Sequence, residues 1–228
     1  MNDLAQNLIE ELQCETVFTI PVLCGIPVSE AVVVTWIIMA VLVVIAFILT
    51  RNLKVDHISK RQAVAESIVT GLLNMVQGMV GEKGKAYVPY LTTVMLYIGV
   101  SNIIGLFGFK SPTKDLRVTV ALALMSIILI EAAGIYHKGV KRWLHGFVEP
   151  VAIVTPINIL EVVTKPLSLC MRLFGNVLGA FVIMELLKMI LPVGLPVVFS
   201  LYFDIFDGLL QAYVFVFLTS LYIDEITE

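Results

Sequence analysis

Residues 156–180 read PINILEVVTKPLSLCMRLFGNVLGA, an apolar run interrupted by Glu161, Lys165, Arg172 and Asn176. A helix turns about 100° per residue. Relative to Arg172, Glu161 lies at −11, Lys165 at −7, Ser168 at −4 and Asn176 at +4, spacings that stack side chains on one face. In water this stripe would be the wet side of an amphipathic helix. Its meaning depends on the solvent around it.

Composition identifies that solvent. The chain has 228 residues, 59% hydrophobic and 14% charged, with a mean hydropathy of +0.96. Soluble domains are about one quarter charged, so this is an integral membrane protein, and its non-protein surroundings are the lipid bilayer. A net charge of −3 argues against nucleic acid as a partner. No loop is long enough to fold a soluble catalytic domain, and no cofactor is expected. The three cysteines, Cys14, Cys24 and Cys170, have no metal spacing with histidines, so no metal site is expected. Cys14 and Cys24 can pair only if their segment faces an oxidising space, and Cys170 reads as a small packing residue. The acidic start of the chain, with Asp3, Glu10, Glu11 and Glu15, lacks the basic region of a signal peptide.

Residues 1–29 read as an irregular segment, with Pro21, Gly25 and Pro27 as breakers. Residues 30–50 are long enough to cross a hydrocarbon layer of about 30 Å. Arg51, Lys54, His57, Lys60 and Arg61 follow, which places that loop in the cytoplasm and the N-terminus outside. Residues 61–80 mix polar and apolar positions, with Ile68, Leu72, Met75, Val76 and Met79 on one face, and predict an interfacial helix. Two more spans are expected at 87–109 and 116–136. Between them Pro112 and Asp115 suit a break and a helix cap. That turn falls outside, where Lys110, Lys114 and Arg117 run against the positive-inside rule. The next loop, HKGVKRWLH at 137–145, is more basic still and belongs inside. Within the spans, Asn102 reads either as a helix–helix hydrogen bonder or as lining for a polar path, and Glu131 as interfacial.

The opening stretch continues to Leu191. From Asn158 that is about 34 residues, or roughly 50 Å, too long for an upright span. It must tilt, bend at Pro166, or lie near the membrane plane. After Pro192, Gly194 and Pro196, residues 197–223 form a last helix, on which Asp204, Gly208, Gln211 and Tyr222 share a face with Asp207 beside it. The chain then ends in the acidic tail DEITE, and the C-terminus is expected in the cytoplasm. The expected fold is an all-α membrane protein with about three upright spans, an interfacial helix (61–80) and a long tilted two-helix hairpin (157–191 and 197–223). No repeat or linker divides residues 1–228, so a single polytopic domain is expected.

An arginine at the bilayer centre costs from about 2.5 to more than 10 kcal/mol, and arginine keeps its charge at physiological pH. The bland explanations are a salt bridge to Glu161, Asp204 or Asp207, or snorkelling to the interface. Gly175 and Gly179 are four apart on the flank of the stripe and let another backbone come close. Facing polar stripes on two helices either bond each other or line clefts for a small cation. A fixed positive charge between two such clefts would hold a passing partner carboxylate ionised and repel a leaking cation. A secondary transporter using Arg172 for an anionic substrate would instead show an internal repeat, and none is found. A purely structural anchor would make the stripe dispensable.

The run PLSLCMRLFGNVLGA at 166–180 closely resembles the signature of subunit a of F-type ATP synthases, S-L-x-x-R-L-F-G-N. Residues 89–124 are similar to its P-x-x-x-T…N-x-x-G-L…P-T-x-D segment, and residues 209–223 to its Q-A-[FY]-x-F-x-x-L-T-x-x-Y. These pieces stand in the family's order over most of the chain. The resemblance implies a non-catalytic stator subunit of a rotary ATP synthase in the bacterial cytoplasmic membrane. Its implied partners are a ring of c subunits and the peripheral-stalk b subunits. Arg172 is then the arginine facing the c-ring, with Gly175 and Gly179 packing there and Ser168 on the same stripe. Asn176 and Gln211 line the ion path, Asn102 and Asp115 lie near the outer access channel, and Glu161 looks toward the cytoplasmic half-channel. Asp204 falls where relatives carry His or Glu. Phe181 departs from the family, where many members have Glu or His, and Asp204, Asp207 and Glu185 are the candidate substitutes. The resemblance leaves H⁺ and Na⁺ both open as the coupling ion.

Overall fold

The computed structural model describes residues 16–20, 26–51, 60–107, 111–146, 155–190 and 194–227. Cys14, Cys24 and Lys110 lie outside the described residues. Two short strands, β1 (Thr16–Ile20) and β2 (Ile26–Ser29), pair antiparallel. This corrects the expectation of an irregular segment before residue 30. Thr16, Val17, Thr19, Ile20, Ile26 and Val28 are β-branched and favour an extended backbone, a preference that outweighs the nearby breakers. The described residues are otherwise largely helical.

Eight α-helices follow among the described residues. They are α1 (Glu30–Thr50), α2 (Lys60–Met79), α3 (Val88–Ile103), α4 (Leu116–Lys138), α5 (Val140–Gly146), α6 (Thr155–Ile190), α7 (Leu195–Ser200) and α8 (Gly208–Thr227). Five helical stretches are long and apolar enough to cross a membrane: Glu30–Thr50, Gly84–Leu106, Leu116–Lys138, Thr155–Leu187 and Val198–Thr227. Helix α2 is not among them. Only its Val76 is fully buried, while Ile68 and Met75 of the expected apolar face stay exposed. Leu72 and Met79 of that face are half-buried and Leu73 joins them, so the packed face overlaps the expected one and is shifted toward Leu73.

The span expected at 87–109 is tighter at both ends. One 3-10 segment (Glu82–Tyr87) leads into α3 and another (Ile104–Phe107) leads out of it. Pro89 sits in the first turn of α3, where its missing N–H is no loss. Asp115 caps α4 by accepting a hydrogen bond from the Arg117 N–H at 2.9 Å. At the other end, Gly139 takes φ 77° and stops the helix. Helix α6 runs through Pro166 for 36 residues, about 54 Å, well beyond the thickness of a bilayer core. The last span, by contrast, is not one uninterrupted α-helix. A π-helical segment, Leu201–Asp207, separates α7 from α8. Such a widened turn shifts side-chain directions locally and is frequent at functional sites; an apolar pattern carries no mark of it.

Two apolar clusters hold the bundle. In one, Leu169, Cys170 and Leu173 of α6 pack with Val118, Leu122 and Ala123 of α4, Val94 and Ile98 of α3, and Phe215 of α8. Around the other end of α4, Ile127, Ile130 and Ala133 meet Val76, Leu91, Val216 and Ile223. Helix α8 packs on α3 and α4, and α6 packs chiefly on α4. The expected C-terminal hairpin is therefore splayed, with α4 holding its two arms and less direct contact between them. Burying Leu169, Cys170 and Leu173 against α4 turns the opposite face of α6, with Arg172, outward.

Candidate functional site: two polar cavities along one helix

Two polar cavities lie at opposite ends of α4. The Asp207 cavity, of about 380 Å³, is lined by Ser111 and Lys114 before α4, Asn102 of α3, Asn176, Phe181 and Glu185 of α6, and Ser200, Asp204, Asp207, Gly208 and Gln211 of the last span. The Lys165 cavity, of about 1020 Å³, is lined by Glu131, His137 and Lys138 at the far end of α4, Lys141 and Arg142 of α5, Asn158, Glu161 and Lys165 of α6, and Glu225 of α8. Along α6 the first takes residues 176–185 and the second residues 158–165. Arg172 stands between the two sets and lines neither.

Short hydrogen bonds organise the Asp207 cavity. The Asn176 Nδ2 donates to Asp207 Oδ2 at 2.8 Å and to Gln211 Oε1 at 3.2 Å, tying α6 to the last span. Asn102 donates to the Gly208 carbonyl at 3.0 Å and accepts from the Thr113 hydroxyl at 2.8 Å. The Ser200 hydroxyl donates to Asp204 Oδ2 at 2.7 Å. Gly208 has to be glycine, since a Cβ there would sit 2.7 Å from Asn102 Cβ.

Charges organise the Lys165 cavity. Lys165 Nζ lies 3.1 Å from Glu225 Oε1 and 3.7 Å from Glu161 Oε2, and 5.2 Å from the centroid of the Tyr222 ring. Both carboxylate side chains stay about half exposed. Glu131 accepts a 2.9 Å hydrogen bond from the Trp143 indole N–H, which folds α5 back against α4.

The candidate residues thus divide. Asn102, Asn176, Asp204, Asp207 and Gln211 gather in one cavity, with Glu185 beside them, and Glu161 faces the other. Asp115 lines neither: it is buried, accepting from the Ser29 hydroxyl at 2.9 Å and from the Arg117 N–H. Ser168 is exposed on α6 and also lines neither. Among the described residues, nothing lies within 4 Å of where a Cβ would stand at Gly175 or Gly179, so their flank of α6 is open. Arg172 is exposed and, among the described residues, forms no salt bridge with Glu161, Asp204 or Asp207. Among the described residues no group of three or more His, Cys, Asp or Glu is placed to hold a metal ion.

Two lining residues escape a reading of the stripe alone. Glu225 belongs to the acidic tail, yet it lies 14 positions after Gln211, close to four helical turns and so nearly on the same face. Lys114 reads as an exception to a charge rule, and only its position after the buried Thr113 points inward.

This arrangement defines a multi-pass helical membrane protein with polar cavities on either side of one exposed arginine. The family described as ATP synthase A chain matches residues 32–224. Similar proteins include ATP synthase subunit a of Moorella thermoacetica, 34% identical over 200 residues covering 87% of this chain and 90% of that one. Another is the sodium-ion-specific ATP synthase subunit a of Propionigenium modestum, 34% identical over 215 residues and covering 87% and 74%. ATP synthase subunit a 1 of Crocosphaera subtropica is 30% identical over 197 residues, covering 86% and 85%. The chain belongs to the ATP synthase subunit a family. It is a multi-pass bacterial membrane protein of the ATP synthase complex, with a part in ion transport for ATP synthesis.

Proposed function

We propose that this chain is the stator of the membrane sector, passing protons or Na⁺ through two half-channels to and from the carboxylates of a c-subunit ring. It catalyses no bond chemistry itself and is held by peripheral-stalk b subunits. The observation that carries this reading is the division of α6: one polar cavity on each side of Arg172, and the arginine exposed between them. A single continuous cavity would leak ions. Two separated ones force a cation to leave the protein, ride on a partner carboxylate past the arginine, and re-enter.

In this reading the Asp207 cavity opens to the outside and the Lys165 cavity to the cytoplasm, the orientation that the basic segments at 51–61 and 137–145 favour. The N-terminus is then outside and the C-terminus inside the bacterial cytoplasmic membrane. Asn102, Asn176, Asp204, Asp207 and Gln211 serve the outer path, and Glu161 the inner one. Close approach to Arg172 lowers the pKa of the ring carboxylate and discharges its cation, while direct passage of a cation is repelled. The open flank at Gly175 and Gly179 lets the ring's backbone come near. Asp115 enters only by fixing the turn that walls the outer cavity.

The test is Arg172→Ala in the intact complex. Assembly is expected to persist and ion-driven ATP synthesis to fall to background, measured in vesicles with an imposed ion gradient. Normal synthesis by that variant would refute the reading.

A further inference from the structure

The turn before α4 is pinned from several sides. The Ser111 hydroxyl lies 2.7 Å from both the Ser101 carbonyl and the Thr113 hydroxyl and donates its one proton between them. Thr113 in turn holds Asn102, and Asp115 holds Ser29 and the start of α4. Ser111, Pro112, Thr113 and Asp115 are all buried. A turn fixed this way presents Lys114 in one direction. The Lys114 Nζ lies 4.0 Å from the centroid of the Phe181 ring, within the range in which an aromatic face attracts a cation. Both residues line the Asp207 cavity.

Among the described residues, the other charged groups facing that cavity are Glu185 from α6 and Asp204 and Asp207 from the π-helical segment; α3 and α8 contribute the neutral Asn102 and Gln211. Three carboxylates around one small cavity would trap a passing cation, because each adds to the same attractive field. A tethered ammonium in the lining opposes that field. The aromatic seat keeps it at the wall, where it weakens retention without plugging the path. The geometry points to Lys114, seated on Phe181, as the resident counter-cation that sets how tightly the Asp207 cavity holds the translocated ion. This role also accounts for a lysine on a turn where the positive-inside bias disfavours one. It rests on the reading of the Asp207 cavity as the outer ion path.

The experiment uses the whole complex in vesicles. ATP synthesis is followed as the proton concentration outside is varied at fixed Na⁺, and as Na⁺ is varied at fixed pH. The same two ions are then titrated on the cytoplasmic side during ATP-driven pumping. Lys114→Gln is expected to lower the outer half-saturating concentration of the coupling ion about three- to tenfold and to leave the cytoplasmic value unchanged. Phe181→Leu, which keeps an apolar side chain but loses the ring, is expected to give a smaller shift of the same sign, and Lys114→Arg to retain the wild-type value. An unchanged outer value in Lys114→Gln, or equal shifts on both sides, would overturn the role of Lys114. A shift in Lys114→Gln with none in Phe181→Leu would overturn the aromatic seat. Should Lys114→Gln fail to assemble, Phe181→Leu decides alone: no outer shift in it sinks the proposal. Failure here with Arg172→Ala still inactive leaves the two-channel reading standing; activity in Arg172→Ala removes both.

Discussion

The two cavities contain similar side chains arranged on opposite physical principles. Around Asp207, neutral amides and hydroxyls make short, directed hydrogen bonds to buried or half-buried partners, and Asn176 alone joins Asp207 and Gln211. Around Lys165, one ammonium is shared between two half-exposed carboxylates at 3.1 and 3.7 Å. Hydrogen bonds between buried groups depend on geometry and leave unmet donors or acceptors when broken. Ion pairs open to water depend on field strength and are screened by salt. The walls of the Asp207 cavity should therefore be sensitive to shape, and those of the Lys165 cavity to ionic strength.

The largest expected effect breaks the packing that shapes the Asp207 cavity. Gly208→Val places a Cβ where Asn102 Cβ already sits 2.7 Å away. Overpacking of this kind costs about 1–3 kcal/mol or more, so a clear fall in thermal stability and poor assembly are expected. The same substitution at Gly179, which meets nothing within 4 Å, should leave the chain's stability unchanged while impairing rotation in the complex. Equal stability losses at both glycines would erase the contrast between a closed and an open flank.

Next in size is Asn176→Ala, which deprives Asp207 and Gln211 of a shared donor. A buried group left unpaired costs about 1–3 kcal/mol, and the rate of ion-driven synthesis is expected to fall with the cavity's geometry. An unchanged rate would show that this bridge is structural only. For Asp204→Asn we expect ion flux to change its dependence on external pH while Ser200 keeps a partner; an identical profile would remove Asp204 from the path. The smallest effect belongs to the Lys165 cavity. Lys165→Gln should lower stability by less than about 1 kcal/mol, and the deficit should shrink as salt rises. A salt-independent deficit would mean that this cluster is held by packing and not by charge.

Much of the chain is legible without coordinates. Residues 30–50 and 116–136 announce themselves as spans because apolar runs of that length have few other uses, and the run at 157–191 shows by its length that it is not an upright one. Asp115 is recognisable as a helix cap from its place before Leu116, and Cys170 as packing from its apolar neighbours. Other features are not local. The π-helical segment at Leu201–Asp207 adds no apolar signature, and the β1–β2 pair depends on a strand preference that proline and glycine obscure in the reading. Helix α2 shows its periodicity, but which of its apolar residues pack is decided by α3 and α8.

The sequence by itself determined that this chain is a multi-pass membrane protein and to which family it belongs. Each of these follows from hydrophobicity, helical period or motif, properties carried by residues close together along the chain. The tertiary structure alone decided that the polar residues divide between two cavities, that Asp115 lines neither, that Glu225 joins Lys165, and that Lys114 sits on Phe181. The reason is distance along the chain. Ser29 meets Asp115 across 86 positions, Asn102 meets Gly208 across 106, and Lys165 meets Glu225 across 60. No local pattern encodes such meetings, because they arise only when the apolar faces of α3, α4, α6 and α8 have packed.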